Sequence, residues 1–169
     1  MSIFGKAPVQ DITRGREAVA AHLRRALKGR SLDDVGWAQP DDLTLLVPLF
    51  GTRSNDVVND AYMLRLYFDH YPDWPPGALF VNPMTLGYAV SEDAKWVPNA
   101  PGHPEIAFHT NYAGTGQQLI CCSLTLEFYK VNHSVDQKLV WQGDRQTFMA
   151  TLAAVKRILV APYYQGRSA

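Results

Sequence analysis

The stretch AYMLRLYFDHYPDWPPGALFV, residues 61–81, holds the pattern from which the rest of the fold is read. Tyr62, Leu64, Leu66 and Phe68 alternate with Met63, Arg65, Tyr67 and Asp69. Successive side chains of an extended chain point to opposite faces, so this is a strand with one apolar and one mixed face. One-sided alternation belongs to a half-buried antiparallel strand. The alternation stops at HYPDWPP. Proline has no N–H for a ladder, fixes φ and pushes the residue before it towards extended geometry. Residues 71–76 are therefore expected to form a stiff extended corner with Trp74 pinned in it, after which ALFV (78–81) resumes as a strand.

Working outward, LTLLVPLFG (43–51) is a short apolar run of strand type. Pro48 suggests that it lies at a sheet edge. TRSNDVVND (52–60) supplies turn chemistry between it and the alternating strand. Upstream, TRGREAVAAHLRRALK (13–28) places Val19, Leu23, Ala26 and Leu27 on one stripe at helical spacing, and Gly29 is a stop signal. The opposite face is basic, with Arg14, Arg16, Arg24, Arg25 and Lys28 against Glu17; it reads as a solvated face or as a docking surface for an acidic partner. The first ten residues read as a loose tail, and LDDVGWAQPDD (32–42) as a linker. Residues 82–107, rich in Pro, Gly and Asn, read as a long loop with one short hairpin at most.

The only cysteines, Cys121 and Cys122, are adjacent. Ile120, Cys122, Leu124, Leu126 and Phe128 alternate with Cys121, Ser123, Thr125 and Glu127, which reads as a strand reaching Tyr129. On that reading Cys122 joins the apolar row as a small core residue and Cys121 is exposed. Consecutive Cα atoms lie about 3.8 Å apart, below the usual disulfide range, so free thiols are expected. NHSVDQ (132–137) reads as a turn and KLVW (138–141) as a short strand. A helix is expected from Arg145 to Val160, capped by Asp144, with Phe148, Leu152, Val155 and Leu159 on its buried stripe and Pro162 ending it. Strands grouped between helices give an α+β class.

The chain of 169 residues is 47% hydrophobic, enough for one domain with a real core. Its formal charge of zero argues against bulk attraction to nucleic acid or to an anionic membrane. No signal-type segment or membrane-length apolar run stands out, so a cytoplasmic location is expected. No cofactor is expected.

The order of these motifs resembles the ubiquitin-conjugating enzyme family. YPDWPP is similar to that family's Tyr-Pro-x-x-Pro-Pro corner after the third sheet strand. FHTN (108–111) is similar to its aromatic-His-Pro-Asn motif, and GQQLIC (116–121) to the Gly-x-Ile-Cys step ending at the catalytic cysteine. Trp141, followed by a helix ending in RILVAP, is similar to the region beyond that cysteine. The resemblance spans roughly residues 13–162, and its departures are Thr110 in place of the signature proline, Cys122 after the cysteine in place of leucine, and longer spacings to Cys121 and Trp141. It is closest in kind to divergent bacterial members. It implies a single α+β domain of ubiquitin-conjugating type: an N-terminal helix, an antiparallel meander of about four strands, a long active-site loop and a C-terminal helix. It also implies a transferase that carries a ubiquitin-like modifier as a thioester on Cys121 and passes it to an amine of a protein target. Asn111 would then donate to the carbonyl oxygen as negative charge grows there, a contribution of roughly 3–4 kcal/mol in well-studied oxyanion holes. His109, Tyr112 and Trp74 would line the site or touch partners, and Arg14, Arg16, Arg24 and Arg25 would dock the activating enzyme.

Other chemistries remain open at this level. Asn111 also suits a loop residue bonding its own backbone, and a catalytically inactive binding module of the same fold needs no thiol. His103, His109, His133 and one cysteine supply zinc-ligand types, yet there is no Cys-x-x-Cys pair. A Cys–His hydrolase would want its nucleophile at a helix start or strained turn, a poor fit to a cysteine within a strand.

Overall fold

A computed structural model describes residues 11–54, 57–131 and 136–169. The expected N-terminal tail, most of the turn expected at 132–137, and His133 lie outside the described residues. The first helix, α1 (Ile12–Leu27), starts where the Asp11 side chain accepts the Arg14 N–H at 3.0 Å. It ends at Lys28 in the left-handed region (φ 51°), one residue before the expected glycine. The sheet is an antiparallel meander of β1 (Ala38–Asp41), β2 (Thr44–Thr52), β3 (Val58–Tyr67) and β4 (Gly77–Val81), in that spatial order. A second sheet pairs β5 (Ala107–His109) with β6 (Leu119–Cys121). Two further helices, α2 (Leu126–Lys130) and α3 (Phe148–Ile158), complete an α+β fold.

The β3 alternation is confirmed in register. Leu45, Val47 and Leu49 lie opposite Leu66, Leu64 and Tyr62, and all six are buried. Onto that face pack Val19 and Leu23 of α1 and the α3 stripe of Phe148, Leu152 and Val155, in one core with Phe68 and Phe80. Phe148 meets the rings of Phe68 and Trp37 edge-on at 5.8 and 6.2 Å.

Several expectations are corrected. β2 is not an edge strand, because β1 covers it, and the linker residues Ala38–Asp41 are that strand. Pro48 is accommodated because the first residue of β1, Ala38, lies opposite Leu46, so at Pro48 itself β2 pairs only with β3. Lys138–Trp141 is not a strand; Gln137–Leu139 form a single 3-10 turn started by the Asp136 carboxylate. The cap of α3 is Thr147, not Asp144, and its hydroxyl accepts the Met149 N–H at 3.3 Å. Residues 82–106 form a loop, as expected: Asn82 and Gly87 close a tight turn, Ala94–Trp96 form one 3-10 turn, and Pro98 makes a single antiparallel bridge to Arg167.

The proline corner is a folded turn, with the Tyr71–Pro72 bond cis, rather than an extended segment. It works as a hub. The Tyr71 hydroxyl accepts the first α3 amide, Phe148 N–H, at 3.2 Å and also contacts His22 Nδ1 of α1. The Trp141 indole N–H donates to Pro72 O at 2.8 Å, and Leu126 N–H at the start of α2 donates to Pro76 O at 3.1 Å. One buried corner thus ties all three helices to the sheet. No helix among the described residues is long and apolar enough to cross a membrane.

Candidate functional site

The strand expected to reach Tyr129 ends at Cys121. Thr125, fully buried, is the reason. Its hydroxyl lies 2.7 Å from Ile120 O and 3.1 Å from Cys122 O, and its own N–H bonds Cys122 O at 3.1 Å. The Cys122 N–H already turns back to Ile120 O at 3.0 Å. The chain therefore winds into a turn and then into α2, and the apolar spacing of Leu126, Phe128 and Tyr129 is used by a helix. The next two carbonyls are also held. Tyr129 O–H donates to Ser123 O at 2.8 Å, and Thr151 of α3 donates to Leu124 O at 2.7 Å. Thr125, Tyr129 and Thr151 fix the backbone beside Cys121, and no periodic pattern marks them.

With the strand gone, the opposite-face argument for the cysteines fails. Both are half-exposed and both line one open groove of about 860 Å³. The segment 103–107, the turn after Cys121, the segment 138–142 and Arg157 of α3 bound it. Burial pushes the Cys121 thiol above its ordinary range, and pushes the more enclosed Cys122 thiol up to about 11. Arg157 is paired with Glu105 at 3.0 Å on the rim. His103 accepts the Glu105 and Ile106 N–H groups on Nδ1, both at 3.1 Å, which leaves its proton on Nε2.

The other expected site residues do not gather around this thiol. Cys121 pairs with Ala107, whereas Asn111 lies in the loop beyond the end of β5 at His109 and is not among the residues lining the groove. The Asn111 Oδ1 accepts the Gly116 N–H at 2.8 Å and so closes its own loop. His109 sits exposed opposite Leu119, with its ring 5.4 Å from that of Tyr112. Tyr112 lines a separate cavity, described below. Trp74 is half-buried, edge-on to Tyr129 at 4.9 Å. Of the α1 arginines, Arg14 pairs with Asp73 at 2.7 Å and Arg16 with Asp42 at 3.3 Å, while Arg24 and Arg25 are exposed and make no ion pair among the described residues. No group of three or more metal-ligating side chains occurs among the described residues; of the zinc reading, His103, His109 and the cysteines are described and His133 is not.

Two buried polar residues beyond the expected set are Gln118 and Glu127. Both are committed to the free edge of β4, Gln118 to Phe80 and Glu127 to Ala78. No protein-family model, no curated protein and no solved structure matches this chain.

Proposed function

We propose that this is a ubiquitin-conjugating-like transferase that carries a ubiquitin-like modifier on Cys121. The observation that carries the reading is a half-exposed thiol at the end of β6, on the rim of a broad groove, with the backbone that follows it held by Thr125, Tyr129 and Thr151. The element order supports it as well: a helix, a four-stranded meander with the YPDWPP corner between its last two strands, then the cysteine. In the reaction the Cys121 thiolate attacks the carbonyl of the activating enzyme's thioester and the activating enzyme's thiolate leaves. The acceptor amine then attacks the new thioester, Cys121 leaves as thiolate, and the amine proton passes to solvent. Holding the acyl group on sulfur divides one hard transfer into two easier ones. Arg24 and Arg25, the exposed α1 arginines that make no ion pair among the described residues, are the cations through which an acidic surface of the activating enzyme would dock.

A second reading, a non-catalytic module that binds the modifier, is favoured by two observations. The Cys121 thiol is raised rather than lowered, and Asn111 serves its own loop. One assay separates the two. Incubation with a matching activating enzyme, modifier and ATP should give a reductant-labile adduct that Cys121→Ala abolishes and Cys122→Ala retains, and Cys121→Ser should give a reductant-stable ester. Modifier binding with no adduct would overturn the transferase in favour of the module.

A further inference from the structure

The sheet face opposite the core carries a second, smaller cavity of about 320 Å³ that the thiol groove does not include. Arg65 and Tyr67 of β3, Glu127 and Lys130 of α2, and Tyr88 and Tyr112 line it. This volume lies at the lower end of small-ligand sites.

Its charges are arranged unevenly. Arg65 and Lys130 make no ion pair among the described residues. Arg65 spends one N–H on Leu86 O at 3.3 Å, and the Lys130 ammonium stands 5.3 Å from the Tyr67 ring centroid. The only carboxylate among the described lining residues is Glu127, and its oxygens are occupied. Both accept the Ala78 N–H at 3.2 Å, and one accepts the Tyr67 O–H at 2.5 Å. Burial also holds Glu127 towards its protonated form. Asp69, the other carboxylate acting on Tyr67, lies on the exposed turn after β3. The cavity therefore presents two cations that make no ion pair among the described residues, although the Lys130 charge still acts on Glu127, beside aromatic side chains. A guanidinium and an ammonium lining one cavity suit one anionic head, and tyrosine rings favour a flat body.

We propose that this cavity binds a small planar organic anion, an aromatic ring bearing a single carboxylate, with Arg65 and Lys130 on the carboxylate and the tyrosines against the ring. The site is independent of Cys121 and stands whether or not the chain is a transferase.

Titration of the isotope-labelled full chain, followed by amide NMR, tests it with benzoate, benzylamine and inorganic phosphate at low salt. Benzoate should bind saturably in the millimolar range or tighter and shift the amides of Gly87, Gly116 and Gln117. Benzylamine should leave them unmoved, and phosphate should bind more weakly than benzoate. Arg65→Met and Lys130→Met should each weaken benzoate about tenfold, the loss expected for one charge-assisted contact. Both variants keep the stem that packs and can be checked for unchanged spectra elsewhere. Benzoate binding that neither variant weakens, or that benzylamine or phosphate equals, would overturn the proposal, as would no benzoate shift at these amides.

Discussion

Gln118 brackets the backbone of Phe80: its Nε2 donates to Phe80 O at 2.6 Å and its Oε1 accepts the Phe80 N–H at 3.0 Å. β4 is the last strand of its sheet, and its outward amide groups would otherwise have no partner. Glu127 does the same one pair earlier by accepting Ala78 N–H. Two side chains from elsewhere in the chain thus act as a missing strand. Gln118→Ala leaves one buried donor and one buried acceptor open, so a loss of about 3 kcal/mol is expected. Urea unfolding should report it, and light scattering should show self-association through the opened edge.

Glu127 predicts a pH dependence. Burial raises its folded-state pKa above the unfolded value, so the folded state holds the proton at pH values where the unfolded state has lost it. Its favourable contribution is therefore present below the unfolded pKa, near 4.3, and is lost as pH rises through the folded value. Glu127→Gln stays neutral and keeps one oxygen to accept from Tyr67 or Ala78. The stability of the variant relative to the parent should rise from pH 4 to pH 7 in denaturant titrations. A difference that is flat with pH would show that Glu127 ionises as freely as an exposed carboxylate.

Gly77 lies opposite Tyr67, and the tyrosine ring covers it so closely that a Cβ there would stand 1.9 Å from a ring carbon. Gly77→Ala must push out the ring that also donates to Glu127. A loss of about 3 kcal/mol is expected from such overpacking. Adding Tyr67→Ala removes the obstacle, so the double variant should lose less than the two single variants summed. Additive losses in a urea double-mutant cycle would contradict the packing described.

The elements readable from sequence are those whose packing repeats along the chain. β3 follows a period of two, β2 is an apolar run in which Leu45, Leu46 and Val47 are all buried, and α1 and α3 follow helical spacing, because each packs on the shared core. Ala38–Asp41 carries no such period; it is a strand only because β2 lies beside it. The run after Cys121 carries a false one. Alternation over Leu124, Leu126 and Phe128 suits a strand, but the hydroxyl of Thr125 closes a turn that hydropathy does not encode. Gln118 and Glu127 were invisible for the same reason, since the backbone groups they serve lie 38 and 49 positions away in sequence. At the candidate site the thiol is legible by residue type, whereas the commitment of Asn111 to its own loop beyond β5 is visible only in its bond to Gly116.

That commitment bears on the thiol chemistry. With Asn111 in the loop beyond β5 and its Oδ1 spent on the Gly116 N–H, burial sets the Cys121 pKa and moves it upward. Only the thiolate alkylates, so at neutral pH Cys121 should react with iodoacetamide more slowly than a free thiol. Its rate should climb about tenfold per pH unit until its pKa is passed. Cys122, more enclosed and with a pKa near 11, should lag at every pH below that value. Peptide mapping of the Cys121→Ala and Cys122→Ala variants over pH 6 to 10 separates the two rates. If Cys122 alkylates first, the thiol presented to the groove is not Cys121, and a modifier would have to be carried one residue later, on the sulfur beside the turn closed by Thr125.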